Sequence, residues 1–269
     1  MPNNAPIGIF DSGVGGLSVL KEIRQRLPRE NLIYLADSAF APYGEKSPEV
    51  IIDRSHYCSD WLIGQGAKAV VVACNTATAA AVHSLRESLS VPVIAMEPAV
   101  KPAVSMSKQR RVGVLATSGT LLSEKFATLQ RRHANGAEVI TQPCPGLVEE
   151  IEKGDLDSPQ LTQLLERYVG ALVAQGVDVI VLGCTHYPLV RVQIDQLLPA
   201  DVWLIDSGAA VAQRVELQLQ HYGLYRQSQG DVSLTCVTSG GVLSLKHALK
   251  QWLNMSQPVT LLDDVAGML

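Results

Sequence analysis

Two stretches of the chain, LIGQGAKAVVVACNT at positions 62–76 and LVAQGVDVIVLGCTH at positions 172–186, align without a gap. In each copy a Gln-Gly pair ends a predicted helix, a run of apolar, mostly β-branched residues predicts a buried strand, and a cysteine follows at the end of that strand. A second, looser match joins residues 7–13 to residues 112–119. The repeat therefore predicts two α/β halves of similar structure.

Short apolar runs bounded by Gly, Asp or Pro recur along the rest of the chain. They predict strands at Ile7–Phe10, Asn31–Ala36, Ala69–Ala73, Val91–Met96, Arg111–Ala116, Ala137–Gln142, Val177–Leu182, Val202–Ile205 and Val232–Val237. Helical spacing between them predicts helices at Leu17–Leu27, Pro48–Gln65, Thr76–Leu89, Leu121–Arg132, Ser158–Gln175 and Ala209–His221.

Alternating strands and helices predict mainly parallel sheets with helices on both faces. We expect two similar α/β domains related by a pseudo-two-fold axis, one formed by residues 1–97 with 208–269 and the other by residues 98–207. Ligands bind beyond the carboxyl ends of the strands in such sheets. The active site is therefore expected in the cleft between the domains.

Composition excludes several classes of protein. The chain has 269 residues, of which 47% are hydrophobic, so it can bury a large core. Its formal charge of -4, without a basic run interleaved with aromatic residues, argues against a nucleic-acid partner. The apolar runs are too short to span a bilayer, and Met1–Pro6 has no features of a secretion signal. We expect a cytoplasmic protein.

The cysteines are odd in number and widely scattered, which predicts neither a disulfide framework nor a structural zinc site. They are Cys58, Cys74, Cys144, Cys184 and Cys236. A lone cysteine in a reducing compartment is usually a small buried hydrophobe, and we expect this of Cys58 and Cys236. The repeated strand-end position of Cys74 and Cys184 calls for a different explanation.

A thiolate and a thiol on opposite faces of one carbon suit inversion of a stereocentre, because one face loses a proton while the other gains one. The α-proton of an amino acid is only weakly acidic, so the base must be desolvated and the substrate carboxylate stabilised. Asn75, Thr76 and Thr185 follow the cysteines where helices begin, and can hold that carboxylate.

Each thiol has a candidate partner that can tune its proton affinity. His186 lies two residues after Cys184, and Asp11 ends the first predicted strand, which should place it beside Cys74. An aspartate at this position is often only a helix cap. The remaining histidines are expected to be structural. These are His56, His83, His133, His221 and His247.

Other ligands fit the motifs less well. The loop Asp11–Gly16 follows a strand as phosphate-binding loops do, but it lacks both the P-loop ending and the dinucleotide spacing. Pyridoxal phosphate needs a lysine at the site, and no lysine adjoins a cysteine motif. Cys184 and His186 lack further ligands at metal spacing. We expect racemisation without cofactor or metal.

Four motifs together resemble the signatures of bacterial glutamate racemases. They are Ile9–Leu17, Asp37–Ala39 with Pro42–Gly44, Ala73–Ala77 and Gly183–Pro188. The resemblance extends over about Ile7–Val242. It implies the two-domain aspartate/glutamate racemase fold, interconversion of L- and D-glutamate for peptidoglycan synthesis and cell shape, no cofactor, and a homodimer.

The resemblance also implies residue roles. Cys74 takes the proton from D-glutamate and Cys184 takes it from L-glutamate, assisted by Asp11 and His186. The residues implied to hold the substrate are Asp11, Ser12, Tyr43, Gly44, Asn75, Thr76, Thr117, Thr120, Glu149, Thr185 and His186, with Glu150 as an alternative to Glu149. Ser38 stands where threonine is usual, which keeps the hydroxyl. Relatives activated by a cell-wall precursor carry a longer N-terminal extension, so activation of this kind is not expected.

Three other functions stay open on the sequence. An aspartate racemase shares the paired cysteines but not, as a rule, the opening motif at Phe10–Gly16. A cysteine hydrolase with Cys184 as nucleophile and His186 as base predicts that Cys74 is dispensable. A binding module without catalysis would depend on surface patches instead of the cleft.

Overall fold

The computed structural model describes residues 4–227 and 230–262, so residues 1–3 and 263–269, at the two ends of the expected first domain, and 228–229 lie outside the described part. The described strands are β1 Ile7–Asp11, β2 Leu32–Ala36, β3 Ala69–Val72, β4 Val93–Ala95, β5 Arg111–Ala116, β6 Glu138–Pro143, β7 Val179–Leu182, β8 Trp203–Ile205, β9 Leu234–Thr238 and β10 Val259–Leu261. The described α-helices are α1 Leu17–Arg26, α2 Pro48–Gly64, α3 Asn75–Ser88, α4 Val100–Met106, α5 Ser118–Leu121, α6 Glu124–His133, α7 Leu147–Glu152, α8 Pro159–Val173, α9 Arg191–Asp195, α10 Gly208–His221 and α11 Val242–Leu253.

The described strands form two parallel sheets. The larger has the order β10-β9-β2-β1-β3-β4, and the smaller has the order β6-β5-β7-β8. The order β2-β1-β3-β4 within the larger sheet corresponds strand for strand to the order β6-β5-β7-β8 of the smaller sheet. The predicted α/β fold with two similar halves is confirmed.

All nine predicted strands are present, with bounds that agree to within two residues. Every residue of β1, β2, β3 and β7 is buried. This burial explains their nearly continuous apolar sequences, because a parallel strand with helices on both faces has no solvent side. Sequence patterns missed β10 and the helices α4, α7, α9 and α11, which are short or lie in the last part of the chain.

The single helix predicted at 121–132 is wrong at its start. The structure has the short helix α5, a break, and then α6. Ser123 lies at the break, and its hydroxyl accepts a hydrogen bond from the backbone N–H of Phe126 at 3.1 Å. A serine cap of this kind starts a new helix and satisfies one of its free N–H groups.

The repeated Gln-Gly pairs are helix ends. Gly66 and Gly176 have φ angles of 83° and 72°, the left-handed conformation that glycine adopts at little cost after a helix. The looser repeat also has a structural counterpart: a Cβ on Gly8 would lie 3.0 Å from Leu62, and a Cβ on Gly113 would lie 2.8 Å from Leu172. The two halves thus pack helix against strand through matched glycine and leucine positions.

Helices cover both faces of each sheet. Helices α1, α10 and α11 pack on one face of the larger sheet, and α2 and α3 pack on the other. The smaller sheet lies between α7 to α9 and the pair α4 and α6. The indole of Trp252 packs against the cores of both halves. Among the described helices, none has both the length and the apolar character needed to cross a membrane.

Candidate active site

The two repeated cysteines lie at the carboxyl ends of matched strands. Cys74 follows β3 and caps α3, where its sulfur accepts a hydrogen bond from the backbone N–H of Ala77 at 3.4 Å. Cys184 follows β7. Cys74 is 4% exposed and Cys184 is 7% exposed, so water has almost no access to either thiol. All five cysteines are free, and Cys58 and Cys236 are buried as expected of packing residues.

Cys74 lies in a neutral to negative environment. Its thiol donates to the hydroxyl oxygen of Ser12 over 3.7 Å. Burial raises the pKa of Cys74 far above the usual value for a thiol, and the charges of Asp11 and Cys184 raise it further, against the lowering effect of the Ala77 amide. This environment favours the protonated thiol.

Asp11 is fully buried between the two halves. Its Oδ2 accepts hydrogen bonds from the backbone N–H groups of Gly13 at 3.2 Å and Gly16 at 2.9 Å. Its Oδ1 accepts one from the hydroxyl of Thr185 at 3.3 Å. Burial raises the pKa of Asp11 from 3.8 to about 6, although the charge of His186 and the loop amides oppose this shift.

The thiol of Cys184 has a basic neighbour. Its sulfur lies 3.8 Å from Nδ1 of His186, and Nε2 of the same ring lies 2.6 Å from Oε1 of Glu152. Burial by itself would lower the pKa of His186, but the hydrogen bonds and charges of Cys184 and Glu152 raise it well above the usual value. These partners therefore favour the cationic form of the histidine beside the sulfur.

The glycine loop after β1 allows the second half to approach closely. The N–H of Val14 donates to Oε1 of Glu152 at 2.8 Å. A Cβ on Gly13 would lie 2.0 Å from that oxygen, and one on Gly15 would lie 2.3 Å from Nδ1 of His186. The N–H groups of Gly13, Val14 and Gly16 are thus bound to carboxylates of the protein itself.

Three threonines meet where the halves face each other. The hydroxyl of Thr76 lies 2.9 Å from that of Thr117 and 3.3 Å from that of Thr120, while Thr117 donates to Thr120 at 3.0 Å. Thr76 belongs to α3 of the first half, and the other two belong to the second half. Three of the four predicted substrate-binding threonines are thus brought together, whereas Thr185 bonds Asp11.

Asn75 is buried with an unsatisfied side chain. It is 4% exposed, and neither atom of its amide has a hydrogen-bond partner in the part of the chain that the structure describes. An unpaired buried amide costs free energy unless a ligand or water satisfies it. Its position beside Cys74 makes it available to a substrate that carries both an acceptor and a donor.

The side chain of Tyr43 has a partner within its own half of the chain. Its hydroxyl donates to Oδ2 of Asp37 at 2.5 Å, so the side chain is committed within the protein. Pro42, Gly44 and Glu45 on either side of it line a cavity between the halves. The neighbouring Gly44 packs against the second half, where an added Cβ would lie 2.9 Å from the Cβ of Thr117.

The two candidate glutamates of α7 face different surroundings. Glu149 lines a cavity of about 160 Å³ together with Glu45, Gly44 and Thr117. Burial raises the pKa of Glu149, and its charge interaction and hydrogen bond with Glu45 raise it further. Glu150 forms an ion pair of 2.5 Å with the exposed amine of Lys153. Of the two, Glu149 is the one that faces the space between the halves.

Sequence patterns missed Glu152. This residue ends α7, and its carboxylate contacts both the glycine loop and His186. Three glutamates within one short helix gave no signal to single it out, because the selection depends on how the second half docks onto the loop. Among the described residues there is no group of three or more side chains suited to hold a metal ion.

Sequence comparisons with known proteins give matches to racemases. Residues 7–215 match the family described as Asp/Glu/Hydantoin racemase. The chain is 58% identical over 222 residues to a protein of Pseudomonas syringae pv. tomato named glutamate racemase, covering 82% of this chain and 81% of that protein.

Solved structures agree in fold. A glutamate racemase isoform of Bacillus anthracis is similar with a TM-score of 0.87 and 33% identity, over 97% of this chain and 98% of that one. A glutamate racemase of Francisella tularensis in complex with D-glutamate is similar with a TM-score of 0.84 and 31% identity, over 98% and 99% of the two chains. An aspartate racemase of Picrophilus torridus is only 16% identical, with a TM-score of 0.53, and shares the fold alone.

Proposed function

Because the chain belongs to the Asp/Glu/hydantoin racemase family, we propose that Cys74 and Cys184 are the two acid–base groups that invert the α-carbon of glutamate. The chain is an isomerase that interconverts L- and D-glutamate, as the 58% identity to a glutamate racemase over 82% of its length indicates. The observation that supports the two-thiol mechanism is the hydrogen bond from Thr185 to Asp11. Thr185 directly follows Cys184. Asp11 directly precedes Ser12, whose hydroxyl accepts a hydrogen bond from Cys74.

The surroundings of the two thiols support a division of roles. Burial and Asp11 favour a protonated Cys74, whereas Nδ1 of His186 lies 3.8 Å from the sulfur of Cys184 and can exchange a proton with it. In the direction from L- to D-glutamate, the thiolate form of Cys184 removes the α-proton of L-glutamate and becomes a thiol. Cys74 gives its own proton to the opposite face of the carbon, becomes a thiolate, and releases D-glutamate.

The remaining residues of the site hold the substrate and stabilise negative charge. The free amide of Asn75 can donate to a carboxylate and accept from the ammonium group. The carbanion-like state places extra charge on the α-carboxylate, so donors fixed near it lower the barrier. We assign this binding role to Asp11, Ser12, Gly44, Asn75, Thr76, Thr117, Thr120, Glu149, Thr185 and His186, and to the main chain at Tyr43.

The same proposal includes the division into domains. The strands of the larger sheet lie within residues 1–97 and 208–269, and those of the smaller sheet lie within residues 98–207. Neither thiol lines the 160 Å³ cavity in the described structure, and both are nearly buried. Substrate therefore reaches them only when the two domains separate.

The proposed reaction requires no cofactor, because side chains of the chain itself carry both protons. Its physiological role is the supply of D-glutamate for peptidoglycan synthesis. The enzyme acts in the cytoplasm as a homodimer. The proposed partner is the small-molecule substrate, and we expect the protein to bind neither nucleic acid nor membranes.

Incubation of the purified protein with L-glutamate, without added cofactor, and chiral analysis of the amino acid test this function. We expect D-glutamate to accumulate until both enantiomers are equal, with L-aspartate converted far more slowly. Absence of conversion, or faster conversion of aspartate, would contradict the proposal. A hydrolase that used Cys184 alone would retain its activity after Cys74→Ala.

A further inference from the structure

A second buried ion pair lies beside the site and has no role in the proton transfers. Arg54 of α2 holds Asp37 at two points: Nε donates to Oδ2 at 3.0 Å, and Nη2 donates to Oδ1 at 2.7 Å. The two side chains are 7% and 0% exposed. Asp37 directly follows β2, and its N–H donates to the carbonyl oxygen of Asp11. The ion pair is therefore attached to the strand end that carries the active-site carboxylate.

The pair also contacts the segment 38–45 at two residues, Phe40 and Tyr43. The guanidinium group of Arg54 lies 3.8 Å from the centre of the Phe40 ring, a favourable cation–π contact. The hydroxyl of Tyr43 donates to Oδ2 of Asp37 at 2.5 Å, and that of Ser239 donates to Oδ1 at 2.8 Å. Without Asp37 held in place, the buried hydroxyl of Tyr43 would lose its acceptor.

The other side of this segment forms a wall of the cleft. Gly44 packs against Thr117, and a Cβ on Gly119 would lie 3.2 Å from the carbonyl oxygen of Gly44. Glu45 lines the 160 Å³ cavity opposite Glu149. A displacement of the segment would therefore change the surface that the first half presents to the second half, where the proposed substrate-binding residues Gly44, Thr117 and Glu149 lie.

We infer that Arg54 is a positioning residue for substrate binding: through Asp37 and Phe40 it fixes the segment 38–45 against the second domain. The inference rests on the proposed racemase function. Arg54 does not touch the two thiols, so its loss should weaken binding of substrate and transition state to a similar degree. Such a uniform loss of binding raises KM and leaves kcat nearly unchanged.

The two-point geometry predicts which substitutions matter. Lysine keeps the positive charge but cannot bind both carboxylate oxygens in one plane or stack as a guanidinium does. Arg54→Lys should therefore recover only part of the binding that Arg54→Met loses. Tyr43→Phe keeps the ring and removes its hydrogen bond to Asp37, which tests the same connection without a change of charge.

The chain offers a matched control. Lys68 forms a buried ion pair of 2.6 Å with Glu30, with side chains 0% and 2% exposed. Lys68 directly precedes β3, whereas Cys74 lies beyond its opposite end. Removal of this cation should destabilise the same domain, as removal of any buried partner does, without moving the segment 38–45.

The experiment compares parent, Arg54→Met, Arg54→Lys, Tyr43→Phe and Lys68→Met by steady-state racemisation of L-glutamate and by thermal unfolding. We expect Arg54→Met to raise KM about tenfold or more with kcat within about threefold. Lys68→Met should lower the thermal unfolding temperature about as much as Arg54→Met does. Its KM should stay at the parental value. If Arg54→Met does not fold, Arg54→Lys and Tyr43→Phe carry the test with smaller increases in KM.

Parental KM in a folded Arg54 variant, a loss confined to kcat, or an equal rise of KM in Lys68→Met would each overturn the inference. Failure of the proposed function is separate, because it would be seen in the parent protein as absence of racemisation.

Discussion

The carboxyl ends of β3 and β7 occupy matched positions in the two halves, but they surround their cysteines with opposite charge. Cys74 has a hydroxyl, an amide and the carboxylate of Asp11 nearby. Cys184 has His186, which Glu152 holds as a cation. Similar backbones therefore place the two thiols in different surroundings, a carboxylate near Cys74 and a histidine near Cys184. A two-base inversion needs this difference, because one sulfur must accept a proton while the other donates one.

The largest expected effect comes from removing either sulfur. Cys74→Ala and Cys184→Ala should each lower racemisation by about 10³-fold or more, since each leaves one face without an acid or base. The measurement is chiral analysis of glutamate over time. Cys236→Ala, in the core of the larger sheet, serves as control and should retain activity. A variant at Cys74 or Cys184 that racemises at the parental rate would remove that thiol from the mechanism.

A smaller effect should follow from weakening the charge at the Cys184 end. Glu152→Gln keeps the size of the side chain but removes the carboxylate, so the pKa of His186 falls and the imidazolium persists only at lower pH. We expect kcat/KM to fall by about 10 to 100-fold at pH 8 and the optimum to move to lower pH. A pH series of kcat/KM measures both.

The control for this substitution lies on the same helix. Glu150→Gln removes only the surface ion pair with Lys153, and it should leave the pH profile unchanged. Because L- and D-glutamate have equal free energy, kcat/KM must be the same in both directions, and one direction suffices. Equal pH profiles for Glu152→Gln and the parent would show that Glu152 does not support the charge on His186.

The smallest expected effect is on stability, at the Cys74 end. Burial raises the pKa of Asp11 in the folded protein from 3.8 to about 6, so the folded state binds more protons than the unfolded state between these values. Stability from this group is then greatest at low pH and falls as pH rises to about 6, by about 3 kcal/mol at most. Asp11→Asn removes the ionisable group and with it this decrease in stability at higher pH.

We therefore expect Asp11→Asn to raise the free energy of unfolding above the parental value at pH 7.5 by about 1 to 3 kcal/mol, with little gain at pH 4. Urea unfolding at several pH values measures this. Asp178→Asn should behave in the opposite way. Hydrogen bonds from Ser107 and two loop amides lower the pKa of Asp178 despite burial, so this variant should lose stability at neutral pH. A gain for Asp11→Asn that does not grow with pH would contradict the assignment.

Much of the fold was predictable because its signals are local. Strands such as β3 and β7 are short apolar runs that end at a polar turn, and Gly66 and Gly176 mark helix ends through a backbone conformation that favours glycine. The break between α5 and α6 was missed, because a serine cap inside a helical pattern is a weak signal. The short helix α7 was missed because its six residues are fewer than two turns.

The site was only partly predictable because its partners come from distant parts of the chain. The strand ends of Cys74 and Cys184 could be read from the repeat, and His186 is a close neighbour in sequence. Glu152 meets His186 and the Val14 amide only after the two halves dock. The hydroxyl of Tyr43 turned out to bind Asp37, an interaction that no spacing in the sequence indicates.

The most direct test of the two-thiol mechanism is racemisation of L-glutamate in D₂O, stopped at low conversion, with mass analysis of each enantiomer separately. If Cys184 removes the α-proton and Cys74 supplies a solvent-derived deuteron, the D-glutamate formed will carry deuterium at the α-carbon and the remaining L-glutamate will not. Deuterium in both enantiomers from the first turnovers would mean that one base serves both faces, and would contradict this mechanism.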